Sequence, residues 1–117
     1  MLSKNDILGA KDIKIELVDV PEWGGSVYVK EMTGAERDKY ESSILEIKGD
    51  RQTVNLQNAR AKLASYTICD ENGNRLFTET DISALASKSA TALQRIFEKG
   101  MSLSKIGKDD MDSLTKN

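Results

Sequence analysis

Residues 12–36, DIKIELVDVPEWGGSVYVKEMTGAE, decide the fold class, because within this stretch strand patterning gives way to a helix start. Residues 12–17 alternate strictly between charged and apolar side chains, so Ile13, Ile15 and Leu17 share one face. This period of two predicts a half-buried strand. Val18 and Val20 break the phase, which predicts a bulge or a strand end near Asp19.

The residues that follow predict a turn and a returning strand. Residues 21–25 combine a proline, which ends ladder pairing, with a glycine pair that tolerates positive φ. Residues 26–30 resume the alternation with β-branched side chains. The two segments therefore predict a β-hairpin with a loop of about five residues. Because a lone hairpin is marginal in water, we expect it to lie on the helices that follow.

The first helix is predicted to begin after Thr33, which forms a capping box with Glu36. Tyr40, Ile44 and Ile47 follow at helical spacing. Gly49 is predicted to end the helix, and residues 48–51 are expected to form a loop.

A second helix is predicted over residues 53–67. Leu56, Ala59, Leu63 and Tyr66 are spaced by three, four and three residues and form one narrow stripe. Core packing is the favoured interpretation of this stripe, and a seam for a partner is the alternative.

Two further helices are predicted after a turn at residues 70–74, in which Gly73 takes positive φ. Thr78 or Thr80 would cap a short third helix, with Asp81 at the capping-box spacing from Thr78. Ser87 or Ser89 would start the fourth helix. The apolar positions of the two helices are Ile82, Leu85 and Ala86, then Leu93, Ile96, Phe97 and Met101.

Together these patterns predict an α+β fold, with an N-terminal β-hairpin packed on a bundle of about four short helices. Residues 1–11 are predicted to be a flexible N-terminus, residues 12–104 a single domain, and residues 105–117 a mobile tail. The tail holds only three sizeable apolar side chains, Ile106, Met111 and Leu114. Burying them would not offset the entropy lost on ordering the whole segment.

Composition excludes several classes of function. The 17 basic and 19 acidic residues are interspersed and give a net charge of −2, which argues against a nucleic-acid binder. No apolar run approaches the roughly 20 residues that span a bilayer, and the N-terminus lacks the apolar core of a signal peptide. We therefore expect a soluble cytoplasmic protein with no membrane partner.

Catalytic and metal-binding groups are scarce. The chain has no histidine, so neither a Ser-His-Asp nor a Cys-His arrangement can form, and Cys69 is interpreted as a small buried hydrophobe. Residues 70–81 place oxygen ligands as a calcium loop does, but Arg75 occupies the position that needs glycine. We therefore predict no cofactor, no metal and no enzymatic activity.

Two blocks of the chain resemble the phage tail assembly chaperone family of long-tailed phages and prophages of Gram-positive bacteria. The first is the strand-to-helix junction VYVKEMTGAERD at residues 27–38. The second begins with RAKL at residues 60–63 and continues as TICDENGNRLFT at residues 67–78, with TDI, KS and LQRI following up to residue 96. Leu103 and Ser104 match as well. The resemblance covers residues 12–104 and carries no catalytic motif.

The resemblance implies a chaperone that binds the tape measure protein, with the tail tube protein as a further candidate partner. It would act in the host cytoplasm and be absent from the mature virion; self-association stays open. The alternative is a structural or adaptor protein retained in the virion. A DNA-binding regulator with a helix-turn-helix at Gly49 and an enzyme are lesser alternatives.

The resemblance names no binding residues, so candidates come from the helical patterns. An apolar groove between helices could receive amphipathic segments of a client. Its candidate lining is Tyr40, Ile44, Leu63 and Tyr66, each of which is also a core candidate. The tail residues Ile106, Met111 and Leu114 are further candidates.

Overall fold

The computed structural model describes residues 1–105, which contain five helices and five strands. The α+β class is confirmed. In chain order the elements are α1 (Lys4–Leu8), β1 (Ile15–Val20), β2 (Gly25–Lys30), α2 (Gly34–Ile44), β3 (Leu45–Lys48), β4 (Arg51–Val54), α3 (Ala59–Thr67), β5 (Ile68–Cys69), α4 (Ile82–Ala86) and α5 (Ala90–Leu103).

The predicted first hairpin is present as β1 and β2. The strands pair antiparallel from Ile15 opposite Lys30 to Val20 opposite Gly25. The pairing is continuous and β1 ends at Val20, so of the two alternatives expected near Asp19 the strand end is confirmed and the bulge is wrong. A 3-10 turn at Pro21–Trp23 closes the hairpin, and Gly24 leaves it at φ 73°. Because Gly25 already pairs, the loop has four residues rather than five.

The hairpin faces the core with the opposite set of side chains from the one expected. Val18 and Val20 turn inward, whereas Leu17 is 57% exposed. Val27 and Val29 of β2 lie on the same inner face, so this face carries valines from both strands. Because side chains alternate along a strand, that choice sends the other set outward. The set expected inward was Ile13, Ile15 and Leu17.

A short third strand, not expected from the sequence, completes the first sheet. β5 pairs with β2, placing Ile68 opposite Val29 and Cys69 opposite Tyr28. The predicted turn follows at once, and its Gly73 has φ 86° as expected. Asp70 Oδ1 accepts hydrogen bonds from the backbone N–H groups of Asn72 and Asn74, at 2.8 and 2.9 Å.

A second hairpin replaces the predicted end of the first helix. The Thr33–Glu36 capping box is confirmed, but α2 ends at Ile44 and β3 pairs with β4 around Gly49, which has φ 66°. The expected helix over Ile47 is therefore wrong, and the loop expected at residues 48–51 is shortened to a two-residue turn at 49–50, because Lys48 and Arg51 pair with each other. The helix-turn-helix alternative loses its basis for the same reason, because no helix flanks Gly49.

The second helix also starts later than predicted. α3 begins at Ala59 after Asn58, whose backbone is left-handed at φ 60°. Leu56 precedes the helix and is 59% exposed, so its place in the apolar stripe is wrong. From Ala59 onward α3 is buried on most sides, since it lies between α2, α4 and α5.

The last two helices follow the prediction. α4 carries the buried Leu85. The capping box of Thr78 and Asp81 is present, with Asp81 Oδ2 accepting the backbone N–H of Thr78 at 2.8 Å, but it starts a 3-10 turn at Glu79–Asp81 that leads into α4. Ser89 caps α5, whose buried side faces α3. Gly100 lets the two helices approach, because a Cβ there would lie 3.1 Å from Leu63 Cδ2.

The N-terminal segment contains one short helix that was not expected. α1 begins with a capping box between Ser3 and Asp6, and none of its residues is buried. Ile7 and Leu8 are 58% and 74% exposed, so they do not anchor the segment. The boundaries of the predicted domain remain predictions, and the tail beyond Lys105 lies outside the described residues.

Candidate functional site

The four residues predicted to line a groove lie together in the structure, but they belong to the buried core. Tyr40, Ile44 and Leu63 are fully buried, and Tyr66 is 4% exposed. With Met32 and Ala59 they form one set of packed residues, called here the tyrosine cluster. In this arrangement their side chains offer no surface to a partner, and their role in binding remains a prediction. Ile106, Met111 and Leu114 lie outside the described residues.

The two tyrosines of this cluster have different surroundings. Tyr40 Oη is buried and has no hydrogen-bond partner among the described residues. Burial raises the pKa of Tyr40 to about 12. Burial also raises the pKa of Tyr66, whose ring lies 4.7 Å from the guanidinium carbon of Arg75. Both phenols therefore stay neutral at physiological pH and act as packing groups.

A partly buried ion-pair network borders the tyrosine cluster. Glu36 accepts a hydrogen bond from Lys30 Nζ and another from the backbone N–H of Thr33, the latter at 2.9 Å. Arg75 approaches the same carboxylate at 4.0 Å. Burial disfavours the charged carboxylate, but the hydrogen bonds from Lys30 and Thr33 outweigh it and lower the pKa of Glu36. The network joins β2, α2 and the segment before α4. These structural contacts explain the lowered pKa of Glu36 without a catalytic role.

Apolar side chains are exposed on the outer face of the first sheet. Leu17 and Tyr28 lie directly opposite each other and are 57% and 36% exposed. Ile13, before β1, is also 36% exposed. These side chains face outward because the valines of both strands occupy the inner face.

An open apolar cleft lies beside the first hairpin. Trp23 and Phe77 are half-buried, and they face Ala84 and the buried Leu85 of α4. The cleft has a volume of ≈ 370 Å³, and Asp81 and Lys88 lie at its margin. These six residues are called here the Trp23 cleft.

The sequence analysis did not identify this cleft. Two residues could have pointed to it, since Trp23 is the only tryptophan of the chain and Phe77 follows Leu76 in a short apolar pair before a helix start. Nothing local in the sequence brings residue 23 next to residue 77.

The one cysteine fits a structural role. Cys69 is 2% exposed, and burial raises the pKa of its thiol. A buried thiol with a raised pKa is a poor nucleophile. Within residues 1–105, no group of three or more His, Cys, Asp or Glu side chains is placed to hold a metal ion. Every helix in this part of the chain is too short or too polar to cross a bilayer.

The family model described as phage tail assembly chaperone matches residues 7–116. The chain belongs to this family. The match includes both blocks on which the sequence resemblance rests. No curated protein matches the sequence.

A solved structure of the bacteriophage HK97 tail assembly chaperone has a similar fold. The TM-score is 0.60 at 19% sequence identity, over 85% of this chain and 90% of that one. At this identity the likeness concerns the fold alone. Family membership makes the chain a chaperone of phage tail assembly, but it assigns no residue to a binding site.

Proposed function

We propose that the chain binds the tape measure protein of its phage and assists assembly of the tail tube, without catalysing a reaction. The observation that carries this proposal is the family match over residues 7–116. The open apolar surfaces supply a physical means, because a chaperone must cover apolar segments of its client. The tail tube protein is a further candidate partner.

Solubility of the complex would come from the charged surface. The 17 basic and 19 acidic residues are interspersed along the chain and give a net charge of −2. A mixed charged surface resists association between copies while an apolar site is occupied or empty. The protein would act in the host cytoplasm and leave the tail before the particle is complete.

Co-expression with the tape measure protein from the same tail gene cluster tests the proposal. A tagged chain should raise the soluble fraction of the tape measure protein and capture it from the lysate. A small acidic protein of unrelated fold, carrying the same tag, is the control. If the tape measure protein stays insoluble and nothing is captured, the proposal is wrong.

Protein analysis of purified virions tests the alternative role. We expect the chain to be absent from them. Its presence in stoichiometric amount would favour an adaptor that remains in the particle.

A further inference from the structure

The Trp23 cleft is built on one face of α4 and one turn of the first hairpin. Ala84 and Leu85 belong to α4, whereas Asp81 directly precedes the helix and Lys88 lies two positions after its last residue. Trp23 and Phe77 complete the lining. Along this segment the apolar lining residues therefore lie between the two charged ones.

The two aromatic residues of the cleft, Trp23 and Phe77, adjoin residues that are held by contacts outside the cleft. Glu22, beside Trp23, accepts hydrogen bonds from Arg95 Nε at 2.9 Å and from a second Arg95 nitrogen at 3.0 Å. Before Phe77, the backbone N–H of Leu76 donates to the Ile68 carbonyl at 3.1 Å. Because these bonds do not depend on the contents of the cleft, it is preformed, as binding pockets usually are.

The walls restrict how a partner can bind. Neither the 3-10 turn nor α4 presents an unpaired strand edge, so a partner strand has nothing to pair with in the cleft. Insertion of side chains remains, which is how an amphipathic helix binds a groove. A volume of ≈ 370 Å³ is small for a pocket, since ligand pockets range over roughly 300–1,000 Å³. It suits one or two large apolar side chains rather than a long segment.

The charges at the margin select the neighbouring residue of the partner. Asp81 Oδ2 already accepts the Thr78 N–H. Neither side chain forms an ion pair within residues 1–105, but Asp81 is engaged in this hydrogen bond, whereas the Lys88 ammonium contacts no described acceptor. A partner helix gains an ion pair when it carries an acidic residue about one turn from its apolar anchor.

We propose that the Trp23 cleft receives an amphipathic helical segment of the tape measure protein, with a large apolar side chain in the cleft and an acidic side chain beside Lys88. This inference rests on the proposed function. It differs from the sequence-based groove, which used the residues of the tyrosine cluster.

Ala84→Glu is the deciding variant, because it places a charged side chain in the middle of the cleft while glutamate keeps a high helix propensity. Ser83→Glu is the matched control, since Ser83 is exposed on the same helix and does not line the cleft. Both variants, and the wild type, are co-expressed as full chains with the tape measure protein. Ala84→Glu should reduce capture about tenfold or more, as for a central interface residue, and Ser83→Glu should capture normally.

Lys88→Glu provides a second variant on the exposed margin, where folding is not at risk. It should weaken capture, and the weakening should shrink as salt is raised. Thermal melting of each free chain should match the wild type. Emission from Trp23, the only tryptophan, should shift to shorter wavelength when tryptophan-free helical peptides from the tape measure protein are added.

Three results overturn the inference. Equal capture by Ala84→Glu and Ser83→Glu, with the wild type binding, would place the site elsewhere and leave the proposed function standing. Failure of the wild type to capture the tape measure protein would overturn the function and the inference together. If truncation after Lys105 shifts Trp23 emission to longer wavelength without peptide, the chain's own tail, in which Met111 lies between Asp110 and Asp112, is the occupant instead.

Discussion

The tyrosine cluster and the Trp23 cleft are both apolar, both contain aromatic side chains, and differ in whether they are closed. In the cluster, α2 and α3 pack so closely that Tyr40 and Leu63 are fully buried. In the cleft, α4 and the hairpin turn leave Trp23 and Phe77 half-buried on either side of open space. The difference teaches that helical spacing identifies apolar faces but does not show which of them meets another element of the same chain.

The largest effect should come from the centre of the tyrosine cluster. Leu63→Ala should lower the free energy of unfolding by about 2–5 kcal/mol, because Leu63 is fully buried and Gly100 lies against it. Leu56→Ala is the control, since Leu56 was assigned to the same stripe but is 59% exposed. It should change stability by less than about 0.5 kcal/mol. Urea denaturation measures both, and equal losses would restore the continuous stripe.

Near the cleft, we expect stability to be most sensitive to substitution in the turn before Phe77. Gly73→Val should cost about 1–3 kcal/mol, because a β-branched residue is strained at a φ of 86°. The added Cβ would also lie 3.1 Å from Ile15 Cδ1. Gly34→Val is the matched control, since a Cβ at Gly34 meets nothing within 4 Å. An unchanged melting temperature for Gly73→Val would mean that this turn adapts freely.

A smaller effect is expected at the start of α2, the helix that carries Tyr40 and Ile44. Thr33→Ala should cost about 0.5–2 kcal/mol, because the Thr33 hydroxyl accepts the backbone N–H of Glu36 at 3.2 Å. Ser43→Ala should be near neutral, since its hydroxyl donates only to the Tyr40 carbonyl within the helix. Thermal melting compares the two variants. Matching losses would contradict the assigned helix start.

The smallest effect should be the acid sensitivity that Glu36 contributes at the border of the cluster. Its pKa is lowered from the usual 4.5 in the folded state, so its stabilisation is fully present above pH 4.5 and is lost as pH falls through the lower folded value. Glu36→Gln should therefore flatten the loss of stability with falling pH. Glu71→Gln, in an exposed turn, is the control. A Glu36→Gln curve parallel to the wild type would show that the network does not respond to this carboxyl.

Local signals account for what the sequence predicts correctly. The Thr33 cap, the positive φ of Gly73, the Ser89 cap and the buried face of α5 each depend on residues within one or two turns. These features recur wherever such residues occur, so they can be identified without knowing the rest of the fold. The α+β class follows from these helix signals together with the alternation that predicts the first hairpin.

Non-local choices account for the errors. Either face of β1 could have turned toward the core. The face with Val18 is the inner one, and it lies on the same side of the sheet as Val27 and Val29 of β2. Ile44 and Ile47 are at helical spacing, yet the chain leaves the helix between them because β4 is available to pair with β3. The Trp23 cleft depends on residues more than fifty positions apart, which a pattern within one segment does not reveal.

The central claim is that the cluster supports stability and the cleft supports binding, and paired measurement of both properties on Leu63→Ala and Ala84→Glu tests it most directly. Thermal unfolding and capture of the tape measure protein, normalised to folded chain, are recorded for each variant. We predict that Leu63→Ala melts at lower temperature and captures normally, whereas Ala84→Glu melts normally and fails to capture. The claim is contradicted if folded Leu63→Ala loses capture while Ala84→Glu retains it.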